Sequence, residues 1–99
     1  MHILDAINKI ENFINGVSEK RFYKNTMIQY AVIKSFEIIG EAAYMTTKEL
    51  RRNYKKIDWK SIIIFRHILV HDYYKINLEI VWKAIDKLPK LEKQIIETV

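Results

Sequence analysis

The chain has 99 residues, 49% of them hydrophobic, enough to fill one core with no room for a second. It contains no cysteine, which excludes disulfides, thiolate nucleophiles and cysteine-based zinc sites. Its formal net charge of +5 suits a nucleic-acid partner, but is also ordinary for a chain rich in lysine and isoleucine.

The start, Met1-His2-Ile3-Leu4-Asp5, places an acid where a secretory leader needs apolar residues. The longest apolar run, Ile62 to Phe65, is far too short to cross a membrane, so a soluble, cytoplasmic chain is expected. Residues 1–99 read as a single domain with two glycines, one proline and no strand-like alternation. Ile3, Ile7, Ile10 and Ile14 recur at helical spacing, and Gly16 is a plausible stop. Ser18 to Tyr23 reads as a connector or a single turn. Thr26 with Gln29 resembles a capping box opening a long second helix, with Ile28, Ala31, Val32, Ser35, Ile39 and Ala42 as its buried stripe.

A second such signal, Thr46 to Glu49, predicts a break and a short helix through Arg52. Asp58 should cap a third main helix from Trp59 to about His71. Asn77 should cap a fourth, with Glu79 in its first turn and Ile80, Val81, Ala84, Ile85 and Leu88 on its apolar face. Pro89 either starts a last turn or kinks that helix, and Leu91, Ile95 and Val99 continue the stripe. The expected fold is all-α, an up-and-down bundle of four main helices with short extra ones.

The segment from Ile62 to Tyr74 concentrates a guanidinium, two imidazoles, a carboxylate and two phenols beside an apolar run. On an ideal helix Arg66 and Tyr73 are nearly eclipsed, whereas His71 lies about 140° from Arg66. A helix end near His71 would let the following loop carry His71 and Tyr73 round to meet Arg66. Metal-free RNA cleavage needs a base for the ribose 2′-hydroxyl, a proton for the leaving oxygen and positive charge at the phosphorane. Histidine supplies the first two and arginine the third, while tyrosine can hold phosphate or stack on a base. Arg66, His71 and Tyr73 make a sufficient set, although from the residues alone such a cluster at a helix end is more often a surface network than a catalytic site. His67 and His71 stand at metal-pair spacing, but no glutamate completes an H-E-x-x-H motif, so neither metal nor cofactor is expected.

Three further groups bear on a site. Gly40 within a helix costs about 1 kcal/mol relative to alanine, which points to close helix packing there. Glu37 and Glu41, one turn apart, repel unless a cation such as Arg66 sits between them, which would make them orienting groups for that arginine; solvated surface acids are the alternative. Arg51, Arg52, Lys55, Lys56 and Lys60 form the densest basic run, either a solvated face or a guide for RNA. Trp59, Trp82 and Phe36 read as core or dimer-interface anchors rather than base-stacking groups.

Arg66-x-x-x-x-His71-x-Tyr73 resembles the R-x-x-x-x-H-x-Y motif of the HEPN ribonucleases, specifically the HepT-like toxins, in which a polar residue such as His67 usually follows the arginine. Glu37-Ile38-Ile39-Gly40-Glu41-Ala42 is similar to the family's E-I-I-G-E-A segment, and Trp59 and Leu78-Glu79-Ile80-Val81-Trp82 also agree. One departure is local: many relatives carry a glycine just before the motif arginine, where Ile64 and Phe65 stand here. The resemblance implies a HEPN-like homodimer whose two motifs line a shared cleft and cut RNA without metal. By the same resemblance, Arg66 and His71 would be catalytic, and Tyr73 and His67 would bind RNA phosphate. It further implies a toxin of a type VII-like toxin–antitoxin system, with an MntA-like minimal nucleotidyltransferase as antitoxin. That partner would transfer AMP to Tyr73, and the bulky anion would obstruct the cleft. The alternative is a non-catalytic HEPN subunit that holds the nucleotidyltransferase and a nucleotide or nucleic acid.

Overall fold

Ile3, Ala6, Ile7 and Ile10 are each at most 2% exposed and form the inner face of the first helix, α1 (His2–Ile14), as their spacing requires. This is a computed structural model, and it describes residues 2–72 and 75–98. Gly16 adopts φ +75°, a left-handed conformation that glycine accepts without strain, and turns the chain out of α1. The stretch read as a connector forms a short helix, α2 (Glu19–Lys24), capped by Ser18, whose side chain accepts from the Arg21 N–H. Phe22 justifies that turn: it is fully buried and its ring lies 5.2 Å from that of Trp82.

The long helix α3 (Thr26–Tyr44) starts one residue earlier than the capping-box reading supposed. Asn25, not Thr26, is the cap, and its Oδ1 accepts from the Ile28 N–H at 3.0 Å. Gln29 reaches back instead to the carbonyls of Phe22 and Tyr23, tying α2 to α3. The same one-residue shift recurs at α4 (Lys48–Asn53), which Thr47 caps by accepting from the Leu50 N–H. Thr46 is occupied otherwise: its hydroxyl donates to the Ala43 carbonyl and accepts from Arg51 Nε.

Asp58 caps α5 (Trp59–His71) and Asn77 caps α6 (Leu78–Asp86), both as expected. The fourth main helix is divided at Lys87, after which α7 (Leu88–Thr98) carries Pro89 in its first turn, where a missing N–H does no harm. Helix α3 is the centre of the bundle, packed on α1 on one side and α5 on the other. Helix α7 reaches α1, and α6 meets both α2 and α7. The architecture is therefore all-α, with α1, α3, α5 and the divided α6–α7 as main helices and α2 and α4 as short ones. No strand occurs among the described residues.

The buried stripe of α3 differs in part from its sequence expectation. Val32, Ser35 and Ile39 are buried as foreseen, joined by Phe36, Gly40 and Ala43. Helix α3 is sandwiched between two neighbours, so its apolar arc is wider than that of a one-sided surface helix. Phe36 meets Phe65 of α5 edge to face at 5.2 Å, and Trp59 is buried with its Nε1 donating to the Tyr54 carbonyl. Trp82 is half-buried against Phe22, so all three large anchors contribute to packing within the chain.

Candidate functional site

Helices α3 and α5 come into close contact where Gly40 faces Arg66. A Cβ added to Gly40 would run into the Arg66 Cβ and stand only 2.8 Å from Cγ and 3.1 Å from Cδ. The aliphatic stem of Arg66 thus lies flat on the bare backbone of α3, which explains a glycine in mid-helix despite its poor propensity. Arg66 is half-buried, and its Nε is buried without a hydrogen-bond partner among the described residues. A buried guanidinium N–H left unmade is uncommon, because the lost hydration is not replaced. Arg66 is therefore held by its stem, with donor capacity in reserve.

Helix α5 runs through His71, its last residue, and Asp72 follows as the C-cap. Here the outcome differs from the expected meeting of side chains. His71 is not carried round by a loop; it stays helical, so its roughly 140° offset from Arg66 stands. Its ring pairs with His67, one turn earlier, at 4.3 Å between centroids and 45° between planes. Both histidines are exposed, whereas Arg66 turns toward α3. Tyr73, the third member of the set, lies outside the described residues.

Glu37 and Glu41 flank the glycine contact unequally. Glu37 is half-buried and lies nearly one turn before Gly40, about 60° round the helix from it; Glu41 is exposed and about 100° round. Neither is joined to Arg66 by an ion pair or hydrogen bond among the described residues, whose two ion pairs are Lys83–Glu79 and Lys93–Glu97. The basic run is also not uniform. Arg51 is committed to α3, donating from Nε to Thr46 Oγ1 at 2.8 Å and from a terminal nitrogen to the Ala43 carbonyl at 3.1 Å. It joins the Thr46 N–H and hydroxyl on the Ala43 carbonyl at the end of α3, where helix geometry leaves carbonyls without an i+4 donor. Arg52, Lys55, Lys56 and Lys60 are exposed.

Sequence reasoning overlooked the outer face of α5. Ile64 and Ile68 are 48% and 44% exposed, at the same helical spacing as His67 and His71. A signal was present, since isoleucines and valines occur on every side of this helix, and such a helix needs cover on more than one face. Among the described residues, no group of three or more His, Asp or Glu is placed to hold a metal ion. No helix of the described residues is long and apolar enough to cross a membrane.

Comparisons with known proteins place the chain in a family. A family model described as "Ribonuclease HepT-like" matches residues 3–98. A "Putative RNase" of Caldanaerobacter subterraneus subsp. tengcongensis is 38% identical over 97 residues, covering 97% of this chain and 87% of that protein. Another protein of that description, from Methanocaldococcus jannaschii, is 34% identical over 94 residues, covering 94% of this chain and 86% of its own length. A "Probable ribonuclease HepT" of Thermococcus cleftensis is 31% identical over 91 residues, covering 91% and 83% respectively. No solved structure matches the chain. With nearly every residue from the first helix to the last inside the family model, the chain belongs to the HepT-like ribonuclease family of the HEPN superfamily.

Proposed function

We propose that the chain is a metal-independent endoribonuclease toxin acting as a homodimer, with Arg66 and His71 as its catalytic residues. The observation that carries this reading is the seat of Arg66: its stem is fixed on Gly40 while a buried Nε has no partner among the described residues. A guanidinium held by its stem and not used up by partners among the described residues is pre-positioned to stabilise charge that develops on a phosphorane. His71 stands exposed at the end of the same helix. It would take the proton from the ribose 2′-hydroxyl, whose oxygen attacks phosphorus. The P–O5′ bond breaks, the proton passes to the departing 5′-oxygen, and a 2′,3′-cyclic phosphate remains.

His67, whose ring rests beside that of His71, and Tyr73 would bind the RNA phosphate. Glu37 would orient Arg66 from α3, with Glu41 contributing at longer range. Regulation would come from an MntA-like nucleotidyltransferase antitoxin through AMP transfer to Tyr73, which adds bulk and negative charge where RNA phosphate must enter. Exposed Ile64 and Ile68 beside the histidines support a dimer that covers this face and places two motifs in one cleft.

The test is incubation of the purified protein with RNA in EDTA, beside Arg66→Ala and His71→Ala. Wild type should cut, and each variant should lose about a hundredfold or more in rate. No cleavage by wild type, or equal cleavage by His71→Ala, overturns the proposal and leaves a subunit that binds rather than cuts.

A further inference from the structure

Away from Arg66 and His71, a groove of about 600 Å³ separates α5 from α6 and α7. Its floor and walls are apolar, with Ile39 of α3, Ile62 and Phe65 of α5, and Ala84, Leu88 and Leu91 of α6 and α7. It exists because α5 packs against α3, and no packing of similar extent joins it to α6 or α7 among the described residues. Its rim is basic, with Lys56 at one end and Lys83, Lys87 and Lys90 along one wall. Among the described residues lining it Asp58 is the only acid, and that carboxylate is engaged by the Ser61 N–H and hydroxyl. Lys83 pairs with Glu79, whereas Lys56, Lys87 and Lys90 form no ion pair among the described residues.

The three wall lysines are spaced four and three residues apart, one helical turn each. Lys87 keeps right-handed helical angles, φ −87° and ψ −11°, so this row continues across the joint between α6 and α7. From the apolar floor and the turn-by-turn positive rim we infer that the groove is a docking site for an amphipathic helix of a partner protein, with acidic residues flanking its apolar stripe. An apolar face laid in an apolar groove, with charges matched at its edge, is a recurrent mode of helix recognition. A second copy of this chain docked groove to groove is a poor occupant, because it would bring another lysine row against the first. RNA would find lysines but no open stacking platform, because the two rings lining the groove, Phe36 and Phe65, pack edge to face on each other and Phe36 is buried.

The experiment uses the full chain and a labelled synthetic peptide of about 16 residues, long enough to be helical, with leucines on one face and glutamates on both flanks. A peptide with lysines replacing the glutamates, and a short oligouridylate, serve as comparisons. The Glu-flanked peptide should bind saturably by fluorescence anisotropy and shift the NMR signals of Ile62, Ala84 and Leu91. Lys87→Glu with Lys90→Glu should weaken it about tenfold, whereas Lys20→Glu with Lys24→Glu should not. Ala84→Trp, which fills the groove without changing charge, should weaken it as well.

No saturable binding, equal binding of the Lys-flanked peptide, or shifts confined to other surfaces would overturn the inference. Displacement of the peptide by oligouridylate from the same signals would make the groove an RNA track. A change in sedimentation caused by Ala84→Trp would make it a contact between copies of the chain. None of these readouts depends on RNA cleavage.

Discussion

At the scale of the residue, Gly40 and Arg66 have to be considered together. Alanine is normally the better helix former by about 1 kcal/mol, so Gly40→Ala should stabilise α3 in isolation. In the folded chain the new methyl would collide with the base of the Arg66 side chain, which cannot swing away as a flexible tip could. Overpacking of this kind costs roughly 1–3 kcal/mol, and the two helices must part to relieve it. Gly40→Ala should therefore lower stability by about 1–2 kcal/mol in a denaturant titration, and should displace Arg66. If the titration shows net stabilisation, the close approach of α3 and α5 is wrong. In the sequence, Gly40 indicated a close contact and Arg66 a charge that needed placing. That each answers the other was not legible, because nothing local relates residues on separate helices. The separation of Arg66 from His71 was legible only as an angle, and it persists because α5 stays regular to its last residue.

At the scale of the element, the helix types and order followed from periodicity, while the caps at Asn25 and Thr47 did not. In each case two polar residues adjoin, Asn25-Thr26 and Thr46-Thr47, and both could cap. Tertiary partners decide between them: Thr46 is held by Arg51 and the Ala43 carbonyl, and Gln29 is taken by α2. Contacts between elements also set a pH response. Glu11 of α1 and Glu92 of α7 lie together, and the Glu11 carboxyl is held above its ordinary value by desolvation first, then by its hydrogen bond to Glu92 and the repulsion between them. The folded chain thus binds this proton more tightly than the unfolded chain does. That favours folding at low pH, and the contribution fades as pH rises from the ordinary carboxylate value through the raised one. Glu11→Gln should leave stability at pH 4 nearly unchanged and raise it at pH 7 by a few tenths of a kcal/mol. Thermal melts at the two pH values check this, and a variant less stable at pH 7 would refute it.

For the whole molecule, an unfilled face on α5 is the main consequence of its small size. A chain of 99 residues that surrounds α3 on two sides leaves Ile64 and Ile68 in water. Covering them with a second copy is the economical solution, and it would also assemble two Arg66–His71 sets. If the proposed dimer forms through this face, Ile64→Glu with Ile68→Glu should give a monomer in analytical ultracentrifugation and reduce RNA cleavage at least tenfold while preserving helical circular dichroism. A variant that stays dimeric and active would place the interface elsewhere. The overall bundle was legible from helical periodicity and two recognisable motif blocks. The groove between α5 and α6–α7 was not, since every residue in it already had an adequate role as ordinary amphipathic packing.

The glycine-to-arginine contact also constrains inheritance. A lineage that exchanged Gly40 for any larger residue would have to alter position 66 to regain a close fit, and one that lost Arg66 would have a hollow beside α3 that a side chain at position 40 could fill. The two positions should therefore change as a pair or not at all. A descendant that had lost the arginine would show it in mid-helix, by the arrival of a Cβ where its stem once lay.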